Sequence, residues 1–194
     1  MRPPNEESDL QLVHELVFAP RGIRTERFTN AELVAGRTPD FRLLEGDKLA
    51  AYCEVKSPRD EWLDDLLDTA LPGELVGGTR RDPVFNRIAR HIAKAATQFE
   101  AVNRDPVVPN ILVFVNHDEQ SKFGDLVEVL TGEFRAANGQ RYPTMKDISE
   151  GRIGVSKHKI DLYVWLEART KEMKHFCGST PGRVSAACTL LGFQ

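Results

Sequence analysis

The stretch RTPDFRLLEGDKLAAYCEVKSP, residues 37–58, decides the fold. Two apolar runs flank the turn-like Glu45-Gly46-Asp47-Lys48, a pattern that predicts a β-hairpin. In its second strand, period-2 alternation sends Leu49, Ala51, Cys53 and Val55 to one face and Ala50, Tyr52, Glu54 and Lys56 to the other. Glu54 and Lys56 are therefore neighbours near the end of a mostly apolar strand. Burying both is costly unless something polar or ionic shares their pocket.

A hard cation meets that need. Magnesium takes oxygen ligands and keeps several waters, so Asp40, Glu54 and the Val55 carbonyl, completed by substrate phosphate oxygens, form a reasonable donor set. Lys56 would then position the attacking water and stabilise charge growing on a phosphorane-like transition state. The reaction expected of such a set is phosphodiester hydrolysis. The hairpin must satisfy one geometric condition. A two-residue Gly46-Asp47 turn with regular pairing sets Asp40 opposite Cys53, on the wrong face. A three-residue loop at residues 46–48, a bulge in either strand, or a bend at Pro39 is required to bring Asp40 across from Glu54.

Working outward, Ser8 reads as the cap of a helix DLQLVHELVF, with Leu10, Val13, Leu16 and Val17 at helical spacing. Residues 20–37 read as a polar connector. Over 83–103, Phe85, Ile88, Ile92, Ala95, Phe99 and Val102 form one stripe of a helix, with Asp82-Pro83 at its start. Arg87, Arg90, Lys94 and Gln98 form a polar stripe about a third of a turn away, either a solvated face or a surface for phosphates. NILVFVN, 110–116, is a continuous apolar run suited to the middle of a sheet. Farther on, FGDLVEVLTGEF has helical spacing, KIDLYVWLEA alternates weakly like a strand, VSAACTLLGF suits a strand or a helix, and GSTPG at 178–182 reads as a loop. Helix, hairpin, helix and strand imply an α/β fold with helices on both faces of a mixed sheet.

Composition narrows the classes. A chain of 194 residues with no low-complexity tract suits one globular domain. No stretch reaches the roughly 18 apolar residues of a membrane span, so a soluble, cytoplasmic protein is expected. The net charge of −3 argues against coating nucleic acid through bulk electrostatics and leaves room for a local basic surface. Cys53, Cys177 and Cys188 form no CxxC pair, which predicts buried thiols rather than zinc or a disulfide framework. His14, His91, His158 and His175 lack ligand spacing. Asn116-His117-Asp118 reads as a polar loop start, Asp161 as a solvated strand end, and Trp62 as a packing anchor in the acidic DEWLDDLLD, a segment turned away from nucleic acid or reserved for a partner.

Pro39-Asp40, a gap, then Glu54-Val55-Lys56 resemble the signature of the PD-(D/E)xK nuclease superfamily, the restriction-endonuclease-like fold. The resemblance implies a three-layer α/β/α sandwich in a single domain 1–194, with its core over about 8–120 and added strands and a lid over 121–194. It implies a Mg2+-dependent nuclease, with Mn2+ as a substitute, acting on nucleic acid and foremost on DNA. Asp40, Glu54 and the Val55 carbonyl would bind metal, and Lys56 would act on the water. Gln98, with Lys94 as a second matching position, would reach the site from the helix after the ExK strand. Glu15, with Glu32 behind it, is the candidate accessory carboxylate, and Arg87, Arg90 and Lys94 are the candidate nucleic-acid contacts. The family often works as dimers, so a homodimer or a partner subunit is expected. The rival reading is a nuclease-like binding or scaffold protein without catalysis. A divalent ion between Asp40 and Glu54 favours the enzyme, a dry Lys56–Glu54 ion pair favours the scaffold, and a Glu54 and Lys56 open to water would make the pattern accidental.

Overall fold

The hairpin organises a six-stranded mixed sheet. In the computed structural model, which describes residues 6–58, 70–77, 84–136, 138–143 and 153–193, β2 (Phe41–Glu45) and β3 (Lys48–Lys56) pair antiparallel. β4 (Asn110–Asn116) lies parallel beside β3, and β7 (Leu162–Glu167) parallel beside β4. The edges are antiparallel: β1 (Arg24–Glu26) on β2, and β8 (Met173–Cys177) on β7. The spatial order is β1-β2-β3-β4-β7-β8. A separate two-stranded ribbon joins β5 (Glu133–Arg135) to β6 (Arg141–Pro143).

Each face of the sheet has its own core. On one, Leu43, Cys53, Val113 and Val164 pack with Leu10 and Val13 of α1 (Glu6–Val13) and Ala187 and Leu191 of α5 (Pro181–Leu191). On the other, Leu112, Phe114, Tyr163 and Trp165 pack with Ile88, Ile92 and Phe99 of α3 (Val84–Val102) and Leu126 of α4 (Phe123–Thr131). The result is a three-layer α/β sandwich around an open mixed sheet, as the hairpin and helix periodicities predict.

All seven residues of β4 are buried, because helices cover both faces of a strand with parallel neighbours on each side. β7 is equally buried from Leu162 to Leu166, and its side chains feed both cores. An inner strand therefore comes from the C-terminal third, and the expected core limit near residue 120 is too short.

Other expectations change in detail. Ser8 lies inside α1, which starts by Glu6 and runs on through a π turn (His14–Phe18) and a 3-10 turn (Ala19–Arg21). The connector 20–37 contains β1 and α2 (Asn30–Ala35). α2 begins at a capping box, with the Glu32 N–H donating to Thr29 Oγ1 at 3.3 Å and the Thr29 N–H donating to Glu32 Oε2 at 2.8 Å. The ambiguous C-terminal run is a helix, α5, opened by Pro181. Asp161 is fully buried, accepting from the Asn110 N–H and from Arg183 Nε at 2.9 Å each, because it ties the start of β7 to β4 and α5. Cys53 is buried as expected, whereas Cys177 is exposed and Cys188 half-buried. Trp62 with its acidic segment and the Asp82-Pro83 cap lie outside the described residues. Among the described residues no helix is long and apolar enough to cross a membrane.

Candidate active site

The hairpin resolves its register with a bulge. The turn is the two-residue Gly46-Asp47, with Glu45 opposite Lys48 and Gly46 at φ 60°, a value that favours glycine. The pairing slips between Leu43 and Leu44, so that Leu44 faces Leu49 while Leu43 faces Ala51, and Ala50 is the extra residue. Beyond the slip Phe41 faces Cys53, and Asp40 comes level with Glu54. Asp40 Oδ2 accepts from the Val55 N–H at 2.8 Å.

Glu54 and Lys56 project from β3 toward α3, with their side chains 1% and 12% exposed. Neither is open to water. Lys56 Nζ donates to Glu54 Oε1, Glu54 Oε2 is buried and receives no N–H or hydroxyl donor among the described residues, and the protonated Glu54 carboxyl lies within hydrogen-bonding reach of Asp40. Burial, and then the Asp40 charge, push the Glu54 carboxyl up to about 8 against the pull of Lys56. Burial also raises Asp40 above the usual carboxylate range, opposed by the Val55 N–H and the Lys56 ammonium.

α3 contributes its Gln98, whose Nε2 donates to the Thr38 carbonyl at 2.9 Å and so fixes the loop entering Asp40. Gln98 Oε1 and Thr38 Oγ1 are buried oxygens lacking a partner among the described residues. Lys94 and Arg90 are exposed on the same helix. Arg87 is different: it is buried, and its Nη1 donates to the Pro58 carbonyl at 3.2 Å, which anchors the chain leaving β3. Its guanidinium is thereby held inside the fold, while Arg90 and Lys94 reach solvent.

Sequence reasoning set His91 aside, yet it belongs to this region. Its ring meets Phe114 edge-on, and burial, reinforced by Lys56, Lys94, Arg90 and Arg87, lowers its pKa to about 4. The imidazole is neutral at pH 7 amid a cationic cluster. Its position one turn after Arg87 and three residues before Lys94 is the signal that would have found it.

The first helix supplies different acids from the one expected. Glu15 is exposed and accepts from Gln11 Nε2 at 2.8 Å on its own helix. Glu32 is engaged in the α2 cap and with Arg42, which, with the Thr29 N–H, holds its carboxyl down at about 2. The α1 carboxylate whose charge reaches Asp40 is Glu6. On the opposite face, buried Asp9 accepts from the Ser57 hydroxyl and pairs with His117 Nε2 at 2.8 Å, tying α1 to the ends of β3 and β4. The loop start at Asn116-His117-Asp118 is thus a strut, with the Asn116 side chain donating to Glu167 and Ser121.

The donor chemistry fits a hard divalent cation. Two buried carboxyl groups side by side are too much negative charge for Lys56 alone, so Glu54 holds its proton up to about pH 8 where no further cation is supplied. Magnesium sites commonly use one or two carboxylates and draw the remaining oxygens from water and substrate. Among the described residues no group of three or more His, Cys, Asp or Glu side chains is gathered to hold a metal. No protein-family model matches the chain, and neither a curated protein nor a solved structure matches it significantly.

Proposed function

We propose that the protein is a Mg2+-dependent nuclease of the PD-(D/E)xK type, hydrolysing phosphodiester bonds in nucleic acid, with DNA as the first substrate class to test. The observation that carries the reading is the buried Asp40–Glu54 pair beside Lys56. Asp40, Glu54 and the Val55 carbonyl would hold the ion, which supplies positive charge for the phosphate oxygens and acidifies water. Lys56 would give up its contact with Glu54 and turn an N–H toward the attacking water or the phosphate. Gln98 keeps the Thr38–Asp40 loop against α3, and Lys94 and Arg90 give the strand backbone its electrostatic contact. The reading places the protein in the cytoplasm, acting alone, as a homodimer or with a partner subunit.

A second reading is favoured by one observation. Lys56 is held against Glu54 with little access to water, an arrangement that suits a nuclease-like scaffold that binds nucleic acid without cutting it. Calorimetric titration of Mg2+ or Mn2+ into wild type and Asp40→Ala separates the two. Binding to wild type that the substitution abolishes, with metal-dependent cleavage of linear or single-stranded DNA lost in Lys56→Ala, supports the enzyme. Absence of metal binding in the presence of oligonucleotide, with oligonucleotide affinity lowered by Lys94→Ala, supports the scaffold.

A further inference from the structure

Cys177 closes β8 and Cys188 lies on α5, and their sulfurs approach to 3.9 Å. Independent contacts hold both elements. β8 is laddered to β7 with Cys177 opposite Leu162, and the Gly178 N–H donates to the Asp161 carbonyl at 2.8 Å. A Cβ at residue 178 would collide with the Ile160 carbonyl oxygen, so only glycine allows the chain to pass that close. α5 is fixed by Arg183 on Asp161, and the chain beyond it returns to β8, where Phe193 stacks on His175 at 4.3 Å. The sulfurs meet because the backbone on either side of each is already pinned.

Cys177 is also reachable. It is exposed at the end of the edge strand, on the α5 face of the sheet that it shares with Leu162. Cys188 is half-buried, and burial together with the neighbouring thiol raises its pKa.

We propose that Cys177 and Cys188 form a reversible dithiol–disulfide site, oxidised by a hydroperoxide, in which Cys177 attacks and Cys188 resolves. The Cys177 thiolate attacks one peroxide oxygen and the O–O bond breaks. The other oxygen leaves as hydroxide and takes up the proton the thiol released, giving a sulfenic acid and water. The Cys188 sulfur then attacks the sulfenic sulfur, the S–S bond forms, the S–O bond breaks, and hydroxide departs with the Cys188 proton as a second water. Two thiols lose two electrons and hydrogen peroxide is reduced to two waters. The product ties the edge strand β8 to α5, and it is independent of the nuclease reading.

The test treats the full-length protein with a slight excess of hydrogen peroxide and follows intact mass and tryptic peptides. Trypsin cuts after Arg183, between the two cysteines, so a bridge joins peptides 175–183 and 184–194. The expected result is a monomer lighter by about 2 Da that dithiothreitol restores, with the joined peptides and an unmodified Cys53. Cys188→Ser should lose the mass decrease and instead show a sulfenic acid at Cys177 that dimedone traps. Covalent dimers, over-oxidation of Cys177 in the wild type, or no reaction at either thiol overturns the proposal.

Discussion

Between pH 4.5 and about 8 the folded protein keeps a proton on Glu54 that the unfolded chain has released. Stability therefore falls as pH rises through that window, since the unfolded state binds fewer protons there. Glu54→Gln removes the titration. In metal-free protein it should leave stability nearly unchanged near pH 4.5 and raise it at pH 8.5 by about 2 kcal/mol, or about 6 °C in Tm. Mg2+ should stabilise the wild type at pH 8.5 and have no effect on the variant. A Tm difference that does not change with pH would refute the assignment of a buried, protonated Glu54. Lys56→Ala should retain metal binding while cleavage falls by about 100-fold or more, read as kcat at saturating metal. At this scale the sequence showed Asp40, Glu54, Lys56 and Gln98 through type and spacing. It did not show Asp9, Glu6 or His91, because whether an acid on a helix faces the sheet, or an imidazole meets Lys56, depends on how that helix is seated.

At the scale of elements, β3 leaves Ala50 bulged rather than paired, and that sets Asp40 level with Glu54. Deleting Ala50 takes out the bulged residue while leaving Leu43 opposite Ala51 and Asp40 level with Glu54, so the Mg2+-induced Tm increase should persist, with sheet content by circular dichroism retained. Loss of the Mg2+ response in the deletion would show that the local twist at the bulge, beyond the register, aims the two carboxylates. In α2, Thr29→Ala removes one half of the capping box and should cost about 1 kcal/mol in denaturant unfolding. The Thr29-x-x-Glu32 pattern stood in the sequence, and a six-residue helix simply offers too little periodicity to announce itself. α3 and β4 were legible because an amphipathic stripe of five turns and an unbroken apolar run leave few alternatives.

For the whole molecule, the C-terminal third is integral to the sheet and clamped to it through Asp161. Arg183→Met leaves that buried carboxylate without its cation and should destabilise the protein by about 3 kcal/mol in chemical denaturation. A loss under about 0.5 kcal/mol would mean that Asp161 is sustained by the Asn110 N–H alone. The sequence by itself determined the hairpin, the long helix, the central strand and the residue types of the candidate site, since these depend on local periodicity and short-range spacing. Only the tertiary structure decided which face Asp40 takes, that Asp161 is buried, that Arg87 is a strut, and that Cys177 meets Cys188. Those outcomes depend on strand register and on how layers distant in sequence pack against one another, and no window along the chain contains both partners.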